Sequence, residues 1–247
     1  MTVLSADILV CTETHWSQTT HQAWSYPIRP YSLRQTAATA SPNWCGVAIF
    51  TSEEMSRHIQ STTTAIYEDG REMGTALKVV LGFHRRQVHL IGAYVPTASP
   101  TNMADRTCTQ QIVHGWLTAA LDAGDEFILA GDLNEHLFEE NRSNPTQLGR
   151  FLRASSEVKE VWQACPRMAS LPGHTFPRNA RCQPSKLDFK YLSASLAHGV
   201  RQAALMHGQS AIDKDHYALF AEVSVPWFTR GPATTKGKAR PQLCLRQ

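Results

Sequence analysis

No stretch of this 247-residue chain is long and apolar enough to cross a bilayer as a helix, because its apolar runs are short and broken by charge. The segment Met1 to Val10 carries no basic residue and includes Asp7, so it does not read as a secretory signal. Cys-x-x-Cys pairs are absent. The six cysteines (Cys11, Cys45, Cys108, Cys165, Cys182, Cys244) are scattered, several of them inside apolar runs where a thiol behaves as a small hydrophobe. That usage fits a reducing, intracellular setting, nuclear or cytoplasmic, rather than a disulfide framework. A zinc site from Cys165, His174 and Cys182 would lack paired ligand spacing and is not expected. Charge of one sign is also scarce: 24 Lys and Arg against 21 Asp and Glu leave +3, compatible with a nucleic-acid partner without requiring one. No period of roughly 20 to 50 residues repeats, which excludes solenoids and propellers.

What is present is the composition of an ordinary globular domain, with 42% hydrophobic and 18% charged residues. Short apolar runs bounded by polar or turn residues predict strands at Ile8–Cys11, Gly46–Phe50, Leu77–Phe83, Val88–Tyr94, Phe127–Ala130, Leu187–Leu192, Val200–Met206 and Tyr217–Val225. Four polar residues, His84 to Gln87, separate the third and fourth runs and predict an antiparallel hairpin. Between Ala104 and Ala123, Ile112, Val113, Trp116, Leu117, Ala120 and Leu121 recur at helical spacing, and Gly124 supplies a stop. A second helix is expected from about Pro145 to Ala154, with Leu148, Phe151 and Leu152 inward. Trp24, Trp44, Trp116 and Trp162 read as core residues rather than stacking platforms.

The class is therefore α/β (α+β) with antiparallel pairing. Candidate functional residues span Glu13 to His216, which argues for one domain over 1–228. Residues 229–247 hold five cations (Arg230, Lys236, Lys238, Arg240, Arg246) and no acid, with Gly and Pro interspersed, and read as a basic flexible tail or linker.

Four segments place polar residues where a strand ends or begins. Ile8 to Cys11 runs through Thr12 into Glu13, an oxygen ligand suited to a hard cation, although a Glu that merely closes a strand has the same look. Phe127 to Ala130 ends at Gly131 and presents Asp132 and Asn134 two residues apart, on one side of an extended backbone. A carboxylate beside an amide can orient a water and bind a phosphate oxygen, while Gly, Asp and Asn are also turn formers. Asp188 opens an aromatic and aliphatic strand, where burial demands a partner such as histidine. Asp215-His216 precedes the last strand, setting a carboxylate beside a titratable imidazole.

Taken together and in order, these segments resemble the endonuclease/exonuclease/phosphatase family, which includes pancreatic deoxyribonuclease, abasic-site endonucleases and retrotransposon endonucleases. Thr12-Glu13-Thr14-His15 resembles its Gln-Glu-Thr-His segment, and Gly131 to Asn134 matches its Gly-Asp-(Leu/Phe)-Asn segment in full. Lys186-Leu187-Asp188-Phe189 resembles (Arg)-(Ile/Leu)-Asp-Tyr, and Lys214-Asp215-His216 resembles Ser-Asp-His with the serine replaced. Gly46-Val47-Ala48-Ile49, Ala93-Tyr94-Val95-Pro96 and Gly173-His174-Thr175-Phe176 supply lesser matches in the right order, so the likeness spans roughly residues 6 to 225.

The resemblance implies a four-layer sandwich of two mixed β-sheets flanked by helices, and a Mg²⁺-dependent phosphodiester hydrolase in which Mn²⁺ can substitute. By the same resemblance Glu13 and Asp215 hold the metal, and Asp132 positions or deprotonates the attacking water. Asn134 and Tyr94 contact the phosphate or the leaving oxygen, His216 contacts a phosphate oxygen or moves a proton, and Asp188 orients His216. The favoured substrate is DNA, cut by an endonuclease of retroelement type fused to or derived from a reverse-transcriptase polyprotein; no membrane partner is implied. The alternatives are a same-fold hydrolase of phosphoinositide, phospholipid or RNA, and a degenerate domain that binds nucleic acid without cutting it. Family members normally begin with a strand ending in asparagine and a helix ahead of the glutamate motif. Here Glu13 follows Met1 by only twelve residues and the first asparagine is Asn43, so a missing first strand, an N-terminal truncation and unpaired backbone beside the first strand are expected.

Overall fold

The computed structural model describes residues 6–15, 31–35, 45–83, 86–135, 146–165, 175, 186–206, 218–224 and 243–246. Two sheets of six strands each organise them. Sheet A runs β10-β11-β12-β1-β3-β2, built from β1 (Ile8–Thr12), β2 (Tyr31–Gln35), β3 (Val47–Ser52), β10 (Val200–Met206), β11 (Ala218–Val223) and β12 (Leu243–Arg246). Sheet B runs β4-β5-β6-β7-β9-β8, from β4 (Ile59–Ile66), β5 (Glu72–Phe83), β6 (Arg86–Tyr94), β7 (Glu126–Asp132), β8 (Val158–Glu160) and β9 (Asp188–Ser193). Each sheet is mixed: β1 and β12 are parallel in sheet A, β6 and β7 in sheet B, and the remaining neighbours are antiparallel.

Alternation along the strands sorts the apolar side chains into two cores. Ile8, Val10, Val47 and Ile49 of sheet A meet Leu77, Leu90, Ile128 and Leu192 of sheet B in the layer between the sheets. The sheets touch closely at Gly92, where a Cβ would stand 2.7 Å from Val47 Cγ1 and 3.0 Å from Val10 Cγ1. The other face of sheet B, with Ile91, Ala93, Phe127, Leu129 and Tyr191, is covered by helices. Among the described residues the helices are α1 (Glu53–Ser56), α2 (Met103–Asp122), α3 (Gln147–Ala154), α4 (Val161–Ala164) and α5 (Ala194–Ala197).

Helix α2 buries Val113, Leu117 and Ala120, with Ile112, Trp116 and Leu121 at the edge of the same core. It stops where Gly124 adopts φ +70° and its N–H reaches the Leu121 carbonyl at 2.9 Å. Helix α3 is capped by Thr146, whose hydroxyl accepts from Gly149 N at 3.1 Å. The hairpin of β5 and β6 is antiparallel as the polar spacer predicts, with Ala76 opposite Ala93 and Phe83 opposite Arg86. Trp162 is buried in the inter-sheet core, whereas Trp24 and Trp44 lie outside the described residues.

Four strands differ from the sequence reading. β4 is Ile-Gln-Ser-Thr-Thr-Thr-Ala-Ile, an edge strand exposed along most of its length, so no apolar alternation marks it. β8 is only three residues long and β2 lies in a stretch without a strong apolar run. The larger correction concerns β12. The position beside β1 that was expected to be empty is filled by this C-terminal strand, which pairs Leu245 and Arg246 with Ile8 and Leu9 on one side and Leu243 to Arg246 with Val223 to Phe220 on the other. The expectation of a flexible tail therefore fails for Leu243–Arg246, and unpaired backbone at Ile8 and Leu9 is avoided. Residues 229–242 lie outside the described residues. No helix among the described residues is long and apolar enough to cross a membrane.

Candidate active site

The apolar strand β7 is buried at every residue and ends in Gly131 and Asp132. Gly131 adopts φ +151°, and a Cβ there would lie 1.8 Å from the Ala93 carbonyl oxygen, so the approach of β7 to β6 admits only glycine. This approach sets the register at the end of the sheet: Tyr94 of β6 is level with Asp132 in the parallel pair, and Asp188 of β9 is level with Asp132 in the antiparallel pair. Residues level across adjacent strands share a face, with Cα atoms about 5 Å apart. Tyr94, Asp132 and Asp188 thus form one row across three strands, all buried, at the rim of the inter-sheet layer.

Asp132 is held from its own strand end. Its Oδ1 accepts from Asn134 N at 2.8 Å and its Oδ2 from Asn134 Nδ2 at 3.1 Å, while its backbone carbonyl accepts from Val95 N at 2.8 Å. Asn134 Nδ2 also donates to the Val95 carbonyl at 2.9 Å. Both amide hydrogens of Asn134 are then in use, so in this arrangement the side chain orients Asp132 instead of offering a donor outward. Asn134 has φ +46°, a left-handed conformation that asparagine tolerates better than most residues. Asp188 is fixed through its backbone: Thr175 Oγ1, buried, accepts from Leu187 N at 3.1 Å and Asp188 N at 3.0 Å, and Leu133 N donates to the Leu187 carbonyl at 3.0 Å.

Glu13 comes from the other sheet. It leaves β1 with φ +52°, and the next residues run beside Cys45 and Gly46, with Thr14 N bonded to Gly46 O at 3.2 Å and His15 N to Cys45 O at 3.1 Å. Gly46 N in turn donates to Gly74 O at 2.9 Å, which joins this corner to β5 of sheet B. The Tyr94 phenol is pushed well above its usual range, first by burial, then by the Glu13 carboxylate, to which it is hydrogen-bonded, and by Asp132. Tyr94 is therefore a neutral O–H donor at physiological pH, next to two carboxylates.

Behind Asn134 lies a group that the sequence did not announce. Arg106 of α2 is buried and donates to Pro96 O at 2.6 Å, to Asn134 O at 3.1 Å and to Glu135 Oε1 at 3.4 Å. Gln110 donates to the same Glu135 oxygen at 2.5 Å, and Thr146 bonds it as well. Burial works against the Arg106 charge and Glu135 and Asp132 favour it. The guanidinium clamps the loops that leave β6 and β7, the two strands that deliver Tyr94 and Asp132. A charged residue in the first turn of a helix pattern carries no signal for such a role, whereas Thr175 lies in the Gly173–Phe176 segment that the sequence already matched to the family.

Five of the seven sequence-predicted residues are thus placed: Tyr94, Asp132, Asn134 and Asp188 on sheet B, and Glu13 facing them from sheet A. Asp215 and His216 lie outside the described residues, as do His174 and Cys182. Among the described residues no three His, Cys, Asp or Glu side chains converge on a metal position. The donors present are carboxylate oxygens, led by the half-buried Glu13, and their chemistry fits a hard divalent cation that keeps most of its own waters.

The profile of the Endonuclease/Exonuclease/phosphatase family matches residues 2–235. The chain belongs to this family. Solved structures of similar fold include the catalytic domain of Xenopus laevis APE2, with TM-score 0.66 and 16% identity over 87% of this chain and 82% of that one. An AP endonuclease from Archaeoglobus fulgidus superposes with TM-score 0.64 at 15% identity, covering 89% of both chains. A 3′ phosphatase, NExo from Neisseria, solved with a product DNA hairpin, gives TM-score 0.65 at 15% identity over 88% of both chains. No curated protein sequence matches the chain. In the fold of the endonuclease/exonuclease/phosphatase family, the row Tyr94, Asp132 and Asp188 occupies the rim between the two sheets, and family members and fold neighbours are nucleases and phosphatases.

Proposed function

We propose that this member of the family is a Mg²⁺-dependent phosphodiesterase that cuts DNA, an endonuclease of retroelement type. The observation that carries the reading is the level row of Tyr94, Asp132 and Asp188, with Asn134 donating to both carboxylate oxygens of Asp132 and Tyr94 hydrogen-bonded to Glu13. Support for DNA comes from the neighbours, one of which holds a product DNA hairpin. The terse spacing of the motifs and the basic run 229–247, which could lead into a reverse-transcriptase polyprotein, favour the retroelement kind.

Hydrolysis of a phosphodiester needs an oriented water, a counter to charge on the phosphoryl oxygens, and a proton for the leaving oxygen. Asp132 is a buried acceptor whose orientation is fixed by Asn134, the geometry of a group that takes a proton from a water. Tyr94, kept neutral, donates its O–H to a phosphoryl or leaving oxygen once that oxygen competes with Glu13. Asp188 orients the imidazole of His216, which then contacts a phosphoryl oxygen or moves a proton. Glu13 and Asp215 are the residues that would hold Mg²⁺, and the ion would supply charge stabilisation at the phosphate.

The test is a substrate panel: double-stranded DNA, an abasic-site duplex, RNA and a phosphoinositide, each with Mg²⁺, Mn²⁺ or chelator. Metal-dependent cleavage of DNA is the expected result. Hydrolysis of the phosphoinositide with DNA untouched would move the chain to another branch of the family, and salt-sensitive DNA binding without turnover would make it a binding domain.

A further inference from the structure

Among the described residues the interior holds few charges. Among the described residues Glu126 is paired with Arg86 at 2.6 Å, Glu135 with Arg106 at 3.4 Å, and Glu160 with Lys186. Asp132, Asp188 and Lys190 are buried as well. Lys190 is fully buried, at 0% exposure, in a chain whose other inward residues at that level are small or apolar. It is level with Ala130 on β7, and Ala130 is level with Gly92 on β6. The row Gly92, Ala130, Lys190 therefore lies one pleat behind the row Tyr94, Asp132, Asp188, on the same face.

At this inner row the two sheets are in close contact, because Gly92 leaves room for Val10 and Val47. Lys190 crosses the layer: its Nζ donates to the Leu219 carbonyl oxygen of β11, itself fully buried. Leu219 follows His216 by three residues in the sequence. Desolvating an ammonium is costly, and a methionine of the same length would fill this layer without that penalty. A lysine here is explained by something its charge and its donor do.

We propose that Lys190 is a positioning residue for the reaction. Its ammonium ties the start of β11, on sheet A, to the strand that carries Asp188, on sheet B, and sets a fixed positive charge behind the Asp132 and Asp188 carboxylates. This inference rests on the reading of the active site given under Proposed function.

The test is Lys190→Met, measured for kcat and KM on the DNA substrate, for thermal unfolding, and for amide hydrogen exchange along β11. Expected are a folded variant with an unfolding midpoint below that of the wild type, a kcat lower by about 100-fold with KM within about threefold, and faster exchange at Leu219 and Phe220. A folded Lys190→Met with kcat within twofold of the wild type, or with unchanged exchange in β11, overturns the inference and leaves the active-site reading standing. A wild type inert toward every substrate of the panel overturns both. If Lys190→Met does not fold, Lys190→Gln, shorter but still a donor, is judged by the same criteria.

Discussion

Asn134 is the most informative single position, because its side chain does two things that can be separated. Asn134→Ala removes the 3.1 Å bond to Asp132 Oδ2 and the 2.9 Å bond to Val95 O, and forces alanine into φ +46°. The bond to an ionised carboxylate is worth about 1.5–3 kcal/mol and the bond to a carbonyl about 1 kcal/mol. The left-handed backbone adds about 1 kcal/mol for alanine. The expected loss of stability is thus about 3.5–5 kcal/mol, read by urea unfolding. Asn134→Gly loses the same bonds without the backbone strain, so it should sit about 1 kcal/mol above the alanine variant. Both should lower kcat by about 100-fold, since a carboxylate held through the residue-134 backbone N–H at Oδ1 alone loses its near-attack geometry, and both should leave KM nearly unchanged. Equal kcat in wild type and Asn134→Gly would refute the assignment of Asn134 as the residue that orients Asp132.

Gly131→Ala places a Cβ 1.8 Å from the Ala93 carbonyl oxygen and should destabilise the fold by more than about 3 kcal/mol in urea unfolding; a loss below about 1 kcal/mol would mean that β6 and β7 part more easily than their register implies. Tyr94 is raised by burial first and then by Glu13, and Tyr67 is pushed up to about 12 by burial and by Asp105. Each folded value lies above the unfolded one near 10, so the stabilisation is present below about pH 10 and is lost as pH rises and the unfolded state ionises. Stability measured from pH 9 to pH 12 should fall, and Tyr94→Phe should make that fall shallower; an identical slope would contradict the buried, neutral phenol. A chain ending at Gln242 loses β12 and leaves two strand edges open, so its unfolding midpoint should drop by several degrees, whereas an unchanged midpoint would show that β1 and β11 do not depend on it.

Much of the site was legible because strands that bury both faces are continuous apolar runs, and the polar residues at their ends stand out. Phe127 to Ala130 followed by Gly131 and Asp132 is of this kind; β1 buries only one face, and its apolar run Ile8 to Cys11 ahead of Glu13 made it visible. The row itself was not legible. That Tyr94, Asp132 and Asp188 are level depends on strand register, which is fixed by pairing and by the close approach at Gly131 and not by sequence spacing. β4 escaped because an exposed edge strand needs no apolar face, and Gln60 to Thr64 reads as a loop. β12 escaped because four strand residues follow a run rich in Lys, Arg, Gly and Pro. Arg106 and Lys190 escaped for a shared reason: a cation in a sequence is read as surface, and only the fold shows that one clamps the loops and the other crosses the core.

The most direct test of the central claim is nicking of supercoiled plasmid by the wild type and by Asp132→Asn, each with Mg²⁺ or with chelator. The expected result is nicking by the wild type that chelation abolishes and that Asp132→Asn lowers by about 1,000-fold while its unfolding midpoint is retained. Equal nicking by both proteins, or nicking that survives chelation, would contradict the assignment of this site as a metal-dependent phosphodiesterase.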